Sequence, residues 1–304
     1  MKVLIMGLGS IARKHIDALR RIDAYVELLA LRSSRDADSC ADVKNIYSIE
    51  EAMEECVDFV IISTPTACHE RSVEMALKLN VPLFIEKPLL HTRNARRLKE
   101  RVEAAAVLNY VACNLRFLEA LRFLKDSLKG KRINEVNIYC GSYLPEWRPE
   151  TDFRKQYSSI PEMGGGAHLD LIHEVDYTYW LFGMPQFQSR VLRSNSSLDI
   201  PAVDYANYCL GYPQFCVSIV LNYYRRDYRR TMEIVMDDET WFIDLAANRI
   251  TVGDKVLFES AQRIADTYEA QMRYFVSLVA GGESKSFNSV DDACHTLDII
   301  FPSD

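Results

Sequence analysis

Several things are missing from this 304-residue chain, and each absence removes a class of function. The cysteines are Cys40, Cys56, Cys68, Cys113, Cys140, Cys209, Cys216 and Cys294, and no two form a C-x-x-C pair. Zinc-ribbon and thioredoxin chemistry therefore have no support. Most of these cysteines sit in apolar runs, where a free thiol behaves as a small hydrophobe. No stretch reaches the ~18 consecutive apolar residues of a membrane-spanning helix. The opening MKVLIMGLGS breaks its apolar run at Gly7, too early for a secretory signal. Positive charge is also scarce: 36 Lys and Arg face 43 Asp and Glu, and the net charge of −7 argues against a nucleic-acid surface. Basic clusters at residues 93–101 and 225–230 lack the aromatic spacing of a binding motif and read as solvated faces. There is no internal repeat and no low-complexity linker. What is left is expected to be a reduced, cytoplasmic, globular chain with no membrane or nucleic-acid partner. Its length suits about two domains on a prior of ~150 residues each.

What is present divides in two. Up to residue 116, short apolar runs at 3–6, 26–31, 59–63 and 83–85 alternate with helical patterns at 11–21, 49–54, 68–79 and 92–105. Continuous apolar strands separated by helices predict an α/β domain with a parallel, doubly wound sheet of the Rossmann type, over residues 1–116. From 117 to 304 the pattern changes. A helix at 118–128 and a strand at 136–143 come first, then strands at 205–211, 216–223, 231–236 and 240–244. Helices at 264–280 and 290–300 close the chain. Grouped strands predict an α+β domain with an open, mainly antiparallel sheet.

The segment VLIMGLGSIARKH sets Gly7, Gly9 and Ala12 in a G-x-G-x-x-A pattern between strand and helix. The first glycine allows a tight turn, the second lets backbone approach a pyrophosphate, and the small third residue lets helix and strand pack closely. Amides near Ser10 and Ile11 would meet the phosphates at the helix N-terminus. The second strand runs into ALRSSRD, where an NAD site usually has an acid for the ribose hydroxyls. Arg32, Ser33, Ser34 and Arg35 stand there instead, a set suited to a 2′-phosphate. This favours NADP over NAD; the other reading is a polar loop in which Asp36 or Asp38 does the usual job.

Further along lie STPTACH (63–69), IEKPL (85–89), CNLRF (113–117) and GGGAHLDLIHEVDY (164–177). With GLGSIA, these ordered motifs resemble the Gfo/Idh/MocA family of NAD(P)-dependent oxidoreductases, which act largely on sugars, cyclitols and their derivatives. The resemblance implies a cofactor site that includes Ser63, Thr64, Pro65, His69, Glu86 and Lys87. It implies that Lys87 lies close to the nicotinamide and the substrate oxygen, and that His173 handles the hydroxyl proton. The family's acid commonly stands four residues before that histidine. Position 169 is Leu, and the acid here is Asp170, three residues before; on one continuous helix that spacing still shares a face. His168 reads as structural, and Asp176 as a brace for the helix. A metal site at Asp170, His173 and Glu174 is rejected, because adjacent His and Glu point apart and no second histidine is well placed. The family also implies a homodimer or homotetramer paired through the open sheet.

The chemistry can be argued without the family. Oxidising a secondary alcohol needs a base for the hydroxyl proton, and histidine titrates near neutrality. A nearby ammonium stabilises charge developing on the oxygen. The stretch 143–163, YLPEWRPETDFRKQYSSIPEM, lacks strand or helix periodicity, and its aromatic and charged groups suit a sugar-like ligand. Arg116, Tyr143, Trp147, Arg148, Asp152, Arg154 and Tyr157 are the candidate substrate contacts, the alternative being a surface loop or subunit contact. This stretch also resembles that of family members associated with bacterial surface-sugar pathways, and the resemblance implies that setting. The alternatives are a non-catalytic NADP-binding regulator on the same scaffold and a reductase of an imine or pyrrole-type substrate.

Overall fold

The structure is a computed structural model that describes residues 1–35 and 40–301. It divides into two compact units, Met1–Cys113 with Tyr268–Leu297, and Asn114–Thr267 with Asp298–Asp304.

The first unit holds β1 (Lys2–Met6), α1 (Ser10–Ile22), β2 (Glu27–Leu31), β3 (Lys44–Ile46), α2 (Ile49–Glu54), β4 (Phe59–Ile62), α3 (His69–Ala76), β5 (Leu83–Glu86), α4 (Arg96–Ala105) and β6 (Asn109–Ala112). The six strands form one sheet in the order β3-β2-β1-β4-β5-β6, and every pair is parallel. Val3, Leu4, Ile5, Val60, Ile61, Ile62, Leu83, Phe84 and Ile85 are fully buried, as central strands covered on both faces must be. The strand order reverses between β1 and β4, the place where doubly wound sheets bind ligands beyond their strand C-termini. Periodicity does not announce β3, whose three residues Lys-Asn-Ile form a polar edge, nor the four-residue β6.

The second unit holds α5 (Glu119–Ser127), β7 (Ile133–Tyr143), α6 (Ala167–Asp170), α7 (His173–Phe182), β8 (Phe187–Arg193), β9 (Tyr205–Gly211), β10 (Cys216–Asn222), β11 (Tyr224–Met236), β12 (Thr240–Asp244), β13 (Arg249–Val252) and β14 (Lys255–Glu259). Its eight strands run β14-β13-β12-β11-β7-β10-β9-β8, antiparallel except for the parallel β7–β10 pair. Alternate residues such as Val136, Ile138 and Cys140 are buried. On that side α6 packs against β9 and β10, and α7 against β7 and α5. The stretch 144–163 is not structureless: it forms four single 3-10 turns.

The chain ends with α8 (Thr267–Gly281) and α9 (Val290–Ile300). Here the expected division at residue 116 needs correcting, because Tyr268–Leu297 groups with the first unit. Phe275 of α8, fully buried, lies edge-on to Phe59 and Phe84 at 5.2 and 5.4 Å. Asn288 donates to Val111 O at 2.7 Å, and its own carbonyl accepts the Val111 N–H at 2.8 Å. No helix among the described residues is long and apolar enough to cross a membrane.

Candidate active site

In the first unit, Gly7 has φ +97°, and a Cβ there would lie 2.6 Å from Thr64 N and 2.7 Å from Ser63 O. The loop after β4 therefore dictates glycine at this position. At Gly9 a Cβ would meet nothing within 4 Å, so the surface above the turn is open. Gly9 also begins α1, which has no side-chain cap and no acid in its first turn. Ser10 is exposed, Ile11 half-buried, and Ala12 packs fully inside. A diphosphate needs open approach to helix amides, and here the approach is open and no side chain caps the helix start.

Ser63, Thr64, His69 and Glu86 of the expected cofactor set make contacts that shape the surrounding loops. Ser63 Oγ donates to Gly7 O at 2.8 Å, tying the two strand ends together. Thr64 Oγ1 lies 3.2 Å from Ser72 Oγ, and Pro65 opens the 3-10 turn Thr66–Cys68. The imidazole of His69 is 1% exposed; Nε2 lies 3.0 Å from Thr64 O and Nδ1 2.9 Å from Pro88 O. Burial pulls His69 below its usual range, so this ring braces two loops. Glu86 is likewise buried, its Oε1 2.5 Å from His15 Nε2, and Lys87 follows it half-buried at the end of β5.

Beyond β2, the Arg32 N–H donates to Ile46 O at 2.9 Å, while Ser33, Ser34 and Arg35 are exposed. The Arg35 guanidinium stands 4.7 Å from the centre of the Tyr47 ring. Residues 32–35 contain no acid. Asp36 and Asp38, the alternative ribose ligands, lie outside the described residues.

In the second unit, the segment expected as one helix is two. α6 ends at Asp170 and α7 begins at His173, with Leu171 at ψ +32° breaking the ladder. The argument from a shared helix face therefore fails for Asp170 and His173. Instead Asp170 is aimed by a residue the sequence did not mark. The Tyr223 hydroxyl donates to Asp170 Oδ2 at 2.5 Å. Burial, reinforced by the Asp170 charge, pushes this phenol well above its usual range, so it remains a donor. Trp147 meets the Tyr223 ring edge-on at 5.3 Å, and its Nε1 donates to Ser142 Oγ at 3.2 Å. Gly165 is demanded by close approach: a Cβ would lie 2.3 Å from Tyr157 O.

The acids of α7 are anchors. Asp176 accepts two hydrogen bonds from Arg116, at 2.9 Å from Nε and 2.7 Å from Nη2, with both side chains almost fully buried. Arg116 is thereby committed to bracing α7 and is withdrawn from the candidate substrate contacts. Glu174 pairs with Arg230 at 2.8 Å, and Arg230 Nε also reaches Cys140 Sγ at 3.4 Å. These two buried ion pairs hold the first turn of α7, which carries His173, itself 8% exposed. His168 is structural: burial and the Arg190 charge pull it down to about 4. Of the remaining candidates, Arg148, Asp152 and Arg154 are exposed, and Tyr157 donates to Gly164 O at 2.9 Å. Tyr143 is half-buried and accepts from Arg226 at 2.9 Å.

Residues 1–113 match a family described as "Oxidoreductase family, NAD-binding Rossmann fold", and residues 125–235 match its "C-terminal alpha/beta domain". The chain is 23% identical over 315 residues to myo-inositol 2-dehydrogenase of Thermotoga maritima, spanning 96% of this chain and 92% of that one. It is 26% identical over 219 residues to a scyllo-inositol 2-dehydrogenase (NADP(+)) of Bacillus subtilis, spanning 70% of this chain and 60% of that one. A solved oxidoreductase from Thermotoga maritima shares the fold, with a TM-score of 0.85 at 20% identity over 99% of this chain and 94% of that one.

Proposed function

Because the chain belongs to the Gfo/Idh/MocA oxidoreductase family, we propose that it interconverts a hydroxyl and a ketone on a sugar, cyclitol, aminosugar or nucleotide sugar, with NADP preferred. The observation that carries this reading is the open, uncapped turn at Gly9, set where the strand order reverses, in a chain that keeps Lys87, Asp170 and His173. When bound, the nicotinamide would accept or supply the hydride. Gly7, Gly9 and the first turn of α1 hold the diphosphate, and Arg32, Ser33, Ser34 and Arg35 grip a 2′-phosphate. The Lys87 ammonium stabilises negative charge on the substrate oxygen. His173 takes the hydroxyl proton in oxidation and returns it in reduction. Asp170, held by Tyr223, contacts a substrate hydroxyl or orients the imidazole. Trp147 and the arginines of the 144–163 stretch supply ring stacking and charge. A surface-sugar pathway is the setting we favour, and the NADP-dependent relative fits the cofactor preference.

Replacing Lys87 or His173 by Ala is expected to lower turnover by at least about 100-fold, the scale of one acid–base or oxyanion-stabilising group, with NADPH affinity nearly unchanged. Near-normal turnover in both variants removes the mechanism. Arg32→Asp is expected to shift preference from NADPH toward NADH in a fluorescence titration. Tighter NADH than NADPH binding by the unmodified protein overturns the cofactor assignment.

A further inference from the structure

Lys87 sits where its strand stops being held. The β4–β5 ladder ends at the Ile62–Ile85 pair and the β5–β6 ladder at Glu86–Ala112. Beyond that point the main chain needs other partners, and the Glu86 carboxylate, held by buried His15, and buried His69 provide them. Upstream, Glu86 Oε2 accepts the Lys87 N–H at 3.1 Å, while Glu86 Oε1 lies 2.5 Å from His15 Nε2. His15 is 0% exposed and belongs to the buried stripe Ala12, His15, Ile16, Leu19 of α1, the helix that begins at the Gly7–Gly9 turn. Downstream, Pro88 O and Leu89 O lie 2.9 and 3.2 Å from His69 Nδ1, and His69 Nε2 reaches back to Thr64 O at 3.0 Å.

The Glu86–His15 pair is poorly explained as a stabilising device. A buried polar pair is usually no better for stability than well-packed apolar residues of the same volume. His15 Nδ1 is also buried without a hydrogen-bond partner, and the imidazole meets Phe84 edge-on with ring centroids 4.9 Å apart. In the Nε2–H tautomer the ring donates to Glu86 and leaves Nδ1 a buried acceptor, whereas the Nδ1–H tautomer would orphan a donor and set two acceptors face to face. What the arrangement gains is placement: one carboxylate joins the nucleotide helix to the Lys87 amide.

We infer that His15 and Glu86 are positioning residues that fix the Lys87 backbone to α1, so that the placement of Lys87 is set by the helix that carries the nucleotide turn. Its consequence for catalysis rests on the role proposed for Lys87 above; the structural coupling does not. His69 closes the same frame from the loop after β4.

The test compares full-length wild type, His15→Leu and His15→Gln, because a Gln amide can still donate to Glu86. In His15→Leu, hydrogen–deuterium exchange of the peptide spanning 84–92 is expected to rise about tenfold or more, with the peptide spanning 2–8 unchanged. NADPH affinity should move less than about threefold, while kcat falls about tenfold at similar KM on any alcohol the wild type oxidises. His15→Gln should restore both exchange and kcat. Unchanged exchange at 84–92, loss of NADPH affinity in step with kcat, or failure of Gln to restore overturns the inference. If His15→Leu does not fold, Glu86→Gln must show the same separation, since one amide oxygen cannot serve both partners. If the wild type oxidises no alcohol offered, the oxidoreductase reading fails while the exchange measurements still decide the coupling.

Discussion

His168 and His173 lie five residues apart, both are buried, and they are assigned opposite jobs. His168 packs edge-on to Phe301 at 5.9 Å, and burial with the Arg190 charge lowers it to about 4. Protonation of His168 therefore favours the unfolded chain. Between the usual histidine value near 6.5 and about 4, the unfolded state binds the extra proton, so stability rises with pH. The expected outcome is a loss of up to about 1.4 kcal/mol per pH unit from this residue as pH falls through that window. His69, lowered in the same direction, steepens the fall. Urea unfolding at pH 4.5 to 7 checks this: His168→Gln should flatten the profile, and an unaltered slope would remove His168 as a cause. At this scale, the sequence marked His173 and set His168 aside, but it could not mark Tyr223. Tyr223 is fully buried and reads as ordinary core until its hydroxyl is seen against Asp170, 53 positions away.

At the scale of the element, α7 shows why an apolar-looking helix carries so much charge. Each acid is neutralised by an arginine from another element, Asp176 by Arg116 and Glu174 by Arg230 of β11. Glu174→Ala strands Arg230 in the core and should cost about 3–5 kcal/mol in urea unfolding. The double change Glu174→Leu with Arg230→Met should recover most of that loss, because the penalty lies in the unpaired charge rather than in the lost pair. Equal losses in the single and double variants would show that the pair stabilises in its own right. The boundary between α6 and α7 was hidden from periodicity, since Leu171 and Ile172 are apolar and continue the helical pattern. The triple glycine was visible as a feature, but the reason for Gly165 lies in the carbonyls of Tyr157 and Ser158.

At the scale of the whole molecule, the first unit is discontinuous in sequence. A fragment ending at Cys113 would contain the whole nucleotide motif yet lack α8, α9 and the Asn288 bonds that pair with β6. Phe275 alone is worth about 3–5 kcal/mol as a buried aromatic, a large share of the 5–15 kcal/mol typical of a domain. The fragment 1–113 is expected to lack a cooperative thermal transition and to bind NADPH far more weakly than the full chain. A fragment that unfolds cooperatively and binds normally would show that the C-terminal helices are dispensable.

By itself the sequence determined what depends on neighbours in the chain. Apolar runs separated by helical patterns specified the parallel sheet, and glycine spacing between strand and helix specified the nucleotide turn. The ordered motifs marked Lys87 and His173 as the proposed catalytic groups. Each of these is written within a few residues, because strand and helix periods are local. Only the tertiary structure decided which polar groups meet: His15 with Glu86 across 71 positions, Arg116 with Asp176 across 60, and Tyr223 with Asp170 across 53. It alone returned Tyr268–Leu297 to the first unit. Such pairings depend on strand register and helix packing, which bring distant side chains within hydrogen-bonding range and leave no period in the sequence.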